Sequence, residues 1–123
     1  INMCSLNGVN AHMYTADYNV SKEALRCLTR SAAREWAAHG ITVNAICPGA
    51  RTPAYDRFAA ASPDNAAQLL RQNPMGRMGE PEQDIGSVVA FMCSDGGSYM
   101  TGNTVFLDGG SHINGVSWQP VAR

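Results

Sequence analysis

Tyr18 and Lys22 stand four residues apart in a stretch of helical pattern, so their side chains share one face and can meet. A phenol beside an ammonium is a usable acid and base. The positive charge favours the phenolate, and the phenol can pass a proton to or from a substrate oxygen. Ser5, thirteen residues before Tyr18, closes a short apolar segment, and its hydroxyl can donate to the same oxygen and fix its orientation. Taken singly, a strand-end serine is ordinarily a turn residue. A tyrosine four before the single lysine of a chain with four tyrosines also arises by chance in roughly 3% of shuffled sequences.

Other catalytic constellations lack their parts. There is no GxSxG elbow and no HExxH helix, and His12, His39 and His112 are scattered and read as surface histidines. Cys4, Cys27, Cys47 and Cys93 form no CxxC pair, so the expectation is reduced thiols, with no metal site. Gly76-Arg77-Met78-Gly79 has the spacing of the GxxG clamp of KH modules. Nine basic residues against ten acidic ones argue against nucleic acid and anionic membranes as partners. With 45% hydrophobic and 15% charged residues among 123, the composition predicts one small globular domain. No apolar run approaches the roughly 18 residues of a membrane span, and the first residues lack a signal-peptide layout, so a soluble, cytoplasmic protein is expected.

The elements that must position these residues alternate along the chain. Ile1 to Ser5 reads as the end of a strand, followed by a polar loop through Asn7-Gly8 and Asn10. A long helix is predicted from about Asp17 to His39, capped by Thr15 or Asp17. Leu25, Leu28, Ala32 and Trp36 form its apolar face, and Gly40 stops it. Residues 41–47 read as a buried strand running into Pro48-Gly49. Pro53 and Ser62-Pro63 look like the starts of two short helices within an irregular excursion. Glu80-Pro81-Glu82 opens another helix with Ile85, Val88, Val89 and Met92 as its stripe, and Thr104 to Leu107 is a last strand before Asp108-Gly109-Gly110. Strands alternating with helices predict an α/β class with a parallel sheet, whose chemistry belongs beyond the carboxyl ends of the strands.

Ser5, then Tyr18-Asn19-Val20-Ser21-Lys22, then Val43-Asn44-Ala45-Ile46-Cys47-Pro48-Gly49 resembles the later half of the short-chain dehydrogenase/reductase family. Asn73 to Glu82 and Tyr99 to Gly110 look like that family too, in the same order, so the resemblance spans residues 1–110. It implies three strands of a Rossmann-type domain with flanking helices, a substrate lid at about 50–80, and a tail over residues 111–123. It also implies hydride transfer between NAD or NADP and a carbonyl or alcohol. Tyr18 would then be the general acid/base, Lys22 its electrostatic partner and a ligand of the nicotinamide ribose, and Ser5 the holder of the substrate oxygen. Pro48, Gly49, Ala50, Arg51 and Thr52 would lie against the nicotinamide, although two residues separate Gly49 from Thr52 where the family commonly has three. Tyr14, Tyr55 and Phe58, with Met13, would line an apolar pocket for the carbonyl compound.

The family's glycine-rich dinucleotide loop and its NAD-or-NADP selecting residue precede this stretch and have no counterpart here, so a missing first half of the same domain is an expected partner. Arg26, Arg30 and Arg34 read as a solvated stripe on a helix that family members often bury between subunits, and a homo-oligomer, dimer or tetramer, is expected. Trp118 would anchor a tail that crosses to a neighbour. The alternative is a non-catalytic truncated piece that acts only as a subunit-association module.

Overall fold

A computed structural model describes residues 1–113 of the chain, so the expectation for Trp118 lies outside the described residues. The order is β1 (Asn2–Met3), α1 (Leu6–Val9), α2 (Ala16–Trp36) with a 3-10 turn at Ala37–His39, then β2 (Ala45–Pro48). Next come α3 (Pro53–Ala61), α4 (Pro63–Gln72), a π-helical turn at Pro81–Gly86 continuing as α5 (Ser87–Met92), a 3-10 turn at Asp95–Gly97 and β3 (Thr104–Leu107). The three strands lie side by side, all parallel, in the order β1-β2-β3.

Alternation along β2 builds the two faces of the sheet. Ala45 and Cys47 point with Cys4 toward Val9, Leu25 and Phe106 on the side of α1 and α2. Ile46 points the other way, into Ile85, Met92, Val88, Val89, Val105 and Leu107. The apolar stripe expected on residues 80–92 therefore faces the sheet. Full burial of Ile46 alone contributes about 2 kcal/mol.

Three expectations need correction. The buried face of α2 is Thr29, Ala32 and Ala33, with Leu25 packed at its edge, while Leu28 is 59% and Trp36 46% exposed. Small side chains bring the helix close to the sheet: Ala32 and Ala33 pack on Val43, and Thr29 Oγ1 accepts from Asn2 Nδ2 at 2.9 Å. This rotates the larger Leu28 and Trp36 outward.

The second correction concerns residues 41–44, which lie outside the strand. Their partners on the β3 side are a turn: Val43 N donates to Thr101 Oγ1 and Val43 O accepts from Gly102 N. Asn44, fully buried, completes the junction by donating through Nδ2 to Met100 O and accepting at Oδ1 from Asn103 N and Nδ2.

The third is the stretch after Ser5, which is the helical turn α1 in place of the expected loop. Ser5 is its N-cap, accepting from Asn7 N at 3.2 Å. The two helix starts expected in the excursion are α3 and α4, each with proline in its first turn. The stop at Gly40 has the positive φ, 71°, that a helix end of this kind requires.

Candidate active site

The carboxyl ends of β1, β2 and β3 release the chain at Cys4-Ser5, Gly49 and Asp108, so three connections meet at one edge of the sheet. Ser5 follows β1 directly, and its backbone is placed by Cys4 N donating to Ile46 O at 2.8 Å. Its Oγ accepts the N-cap bond, which leaves the hydroxyl proton available to another oxygen.

The start of α2 is brought to the same edge by a lysine. Lys22 Nζ donates to the carbonyl oxygen of Met3 at 3.0 Å, tying the helix to the last residue of β1. The same ammonium lies 5.5 Å from the centroid of the Tyr18 ring. Tyr18 is 43% exposed, so its side chain is accessible from solvent. A lysine carries three donors, and the Met3 bond uses one. Thr15, the N-cap residue, is spent locally: its Oγ1 donates its one proton to Asn19 Oδ1 at 3.0 Å, with His12 O a competing acceptor at 3.2 Å.

The segment after β2 is fixed on one side. Gly49 N donates to Leu107 O at 2.8 Å, Gly49 O accepts from Gly79 N at 2.9 Å, and Arg51 N donates to Gly79 O at 2.8 Å. Because successive residues of an extended chain face opposite ways, Ala50 presents its N–H and C=O away from Gly79. Neither group has a hydrogen-bond partner among the described residues. A Cβ on Gly49 would come to 3.1 Å from Asp108 Cα, a tight contact that the backbone leaving β3 would have to relieve by a few tenths of an ångström. Thr52, expected at a cofactor, uses its hydroxyl oxygen to cap α3 by accepting from Tyr55 N at 3.2 Å. Arg51 is turned to solvent, where its Nε donates to Asp56.

The expected pocket residues are placed apart from the strongest geometry. Tyr14 is 97% exposed at a positive φ of 65°, and Tyr55 and Phe58 lie on α3 with ring centroids 6.3 Å apart. A cavity of about 210 Å³ begins one residue beyond Ser5, lined by Leu6, Asn10, His12, Leu69 and Gln72 and by none of these three aromatics.

Several residues that hold this edge together escaped the sequence reading. Asp108 is buried, its Oδ1 accepting from Gly110 N and from His112 Nδ1 at 2.9 Å, and the His112 ring stacks on Phe106 at 4.5 Å. His112 is exposed, as expected of a surface histidine, and its ring nevertheless bonds a buried acid, which its place beyond the glycines did not reveal. Asn73 at the end of α4 donates to Asp108 O at 3.0 Å and accepts from Met75 N, docking the returning excursion onto β3. Cys4 and Cys47 sit beneath the edge as free thiols. Burial pushes both thiols up, Cys47 to about 11, so neither is a ready nucleophile.

The site is thus a parallel three-stranded sheet with Ser5 just beyond the end of β1 and the Lys22 ammonium, beside the Tyr18 ring, bonded to the last residue of that strand. The family described as enoyl-(acyl carrier protein) reductase matches residues 1–112, and the chain belongs to the short-chain dehydrogenase/reductase family. It is 40% identical over 119 residues to a tropinone reductase homolog of Arabidopsis thaliana, covering 96% of this chain and 44% of that protein. It is 40% identical over 110 residues to the 12alpha-hydroxysteroid dehydrogenase of a Clostridium species, covering 89% of this chain and 42% of the relative. The crystal structure of levodione reductase superposes with a TM-score of 0.82 at 33% identity, over 92% of this chain and 46% of that one. The chain thus spans less than half the length of these Rossmann-fold relatives.

Proposed function

We propose that this chain forms the substrate and nicotinamide side of an NAD- or NADP-dependent oxidoreductase acting on a carbonyl/alcohol pair. The observation that carries the reading is the Lys22 ammonium held by Met3 O beside the Tyr18 ring, at the end of the strand that Ser5 follows by two residues. Nicotinamide, when bound, supplies or accepts the hydride. The residues present fit that end of the cofactor: Ala50 offers an unpaired backbone donor and acceptor, and Lys22 retains donors for a ribose hydroxyl. Ser5 donates to the substrate oxygen and orients it, and Tyr18 moves the proton at that oxygen with the Lys22 ammonium 5.5 Å from the centre of its ring. Pro48 and Gly49 back the ring, with Thr52 and Arg51 at the rim.

The test is reduction of a panel of ketones by the protein as its gene encodes it, with NADH and NADPH in turn. Tyr18→Phe is expected to lower kcat by about 100-fold or more while cofactor binding persists. Turnover by Tyr18→Phe at the parent rate sinks the assignment.

A second reading, a chain that only associates with other subunits, is favoured by the apolar residues that α2 leaves outward, Val20, Leu28 and Trp36. A Leu28→Glu variant that keeps the parent's native mass counts against it.

A further inference from the structure

We propose that Arg77 and Asp84 are positioning residues that set the nicotinamide-facing segment Pro48–Thr52 through Gly79. The inference rests on the functional reading above and deepens it.

Gly79 is the pivot. It forms an isolated parallel bridge with Ala50, and its N–H and C=O are the partners of Gly49 O and Arg51 N. Gly49 thereby takes one bond from β3, through Leu107 O, and one from the loop before α5. Beyond Leu107 the chain turns away at Asp108-Gly109, so the ladder on this side of β2 is continued by a residue thirty positions from Gly49. A single bridging residue has little to hold it in place by itself, and the structure holds it from both flanks.

Arg77 and Asp84 supply that hold. Their pairing is bidentate, Nη1 to Oδ2 at 2.6 Å and Nη2 to Oδ1 at 3.1 Å. Arg77 Nη1 also donates to Met78 O at 3.1 Å, and Asp84 Oδ2 accepts from Glu80 N at 2.6 Å. The ion pair therefore grips the backbone immediately before and immediately after Gly79. A Cβ on Gly79 would meet Asp84 Cβ and Gly49 O at 3.3 Å, so glycine permits the carboxylate and the strand-end carbonyl to approach the same residue. The hydrogen bonds of Arg77 and Asp84 go to each other and to this backbone, so their effect is expected at the nicotinamide end and not on the rest of the dinucleotide.

That selectivity gives the test. In the protein as its gene encodes it, the dissociation constant of NADH or NADPH, whichever the parent binds, is compared with that of ADP-ribose or its 2′-phosphate, which lacks only the nicotinamide. Asp84→Asn and Arg77→Gln are expected to weaken the reduced cofactor about fivefold or more and to leave the ADP-ribose ligand within about twofold. Arg77→Lys keeps the charge without the fork, and is expected to fall between the parent and Arg77→Gln. Equal weakening of both ligands, or no weakening of either, overturns the inference; a thermal melt of each variant separates global unfolding from a local effect. A parent protein that binds neither reduced cofactor overturns the functional reading itself, which is a distinct result.

Discussion

Lys22 and Met3, nineteen residues apart, are joined by a 3.0 Å bond from the ammonium to a main-chain carbonyl. The bond ties the first turns of α2, which carry Tyr18, to the end of β1, which Ser5 follows. Under the proposed function this lysine has a structural and an electrostatic task together.

Replacing Lys22 by methionine keeps most of the aliphatic stem and removes both tasks. The expected outcome is a fall in kcat of about 100-fold in the carbonyl assay, with stability lowered by about 1 kcal/mol. Kinetics beside urea denaturation separates the two, and a drop in stability without a drop in kcat sinks the electrostatic role.

Asn44 is a stability residue in the middle of the family-like stretch. Its side chain makes three hydrogen bonds while fully buried, to Met100 O and to Asn103 N and Nδ2. Asn44→Ala strands these partners and is expected to destabilise by about 3 kcal/mol in equilibrium unfolding. A loss under about 1 kcal/mol shows that the clamp is replaceable.

The four thiols divide by burial. Cys27 and Cys93 are exposed, while Cys4 and Cys47 are buried with thiols pushed up by desolvation. Mass-resolved alkylation of the native protein is expected to label Cys27 and Cys93 well before the other pair. A thiol raised in the folded state favours folding fully below its unfolded value, near 9, and that contribution is lost as pH rises toward about 11 for Cys47. A Cys47→Ser variant is therefore expected to lose less stability than the parent between about pH 9 and 11.

Asp84 has the opposite sign. The Arg77 guanidinium and the Glu80 N–H hold its carboxyl at about 2, below its ordinary 3.8. Its contribution is present above pH 4 or so and is lost as pH falls toward about 2. Acid titrations of stability should be shallower over that window for Asp84→Asn than for the parent, and identical curves refute the pairing in solution.

How far the sequence carried depended on the range over which each signal acts. The α/β order, the helix starts at Pro53 and Pro63, the stop at Gly40 and β3 at Thr104–Leu107 were legible because caps, prolines and short apolar runs ended by turn residues act within a few residues. Tyr18 and Lys22 were legible for the same reason, being one helical turn apart. The outward position of Leu28 and Trp36 was not, because apolar spacing marks a stripe and only the contact with Val43 and Asn2 decides its rotation. Ser5 offered a cap signal that a strand-end reading overlooked.

The sequence by itself determined the class of fold and the three side chains of the candidate site, since these depend on local pattern and on residue type. The tertiary structure alone decided which groups hold that site. Asn73 docks on Asp108 across thirty-five residues, and Gly79 completes the ladder of Gly49 across thirty. Such bonds form where backbone groups left unpaired at a strand end must find partners. No short-range pattern specifies a partner at that distance; only the path of the folded chain brings it there.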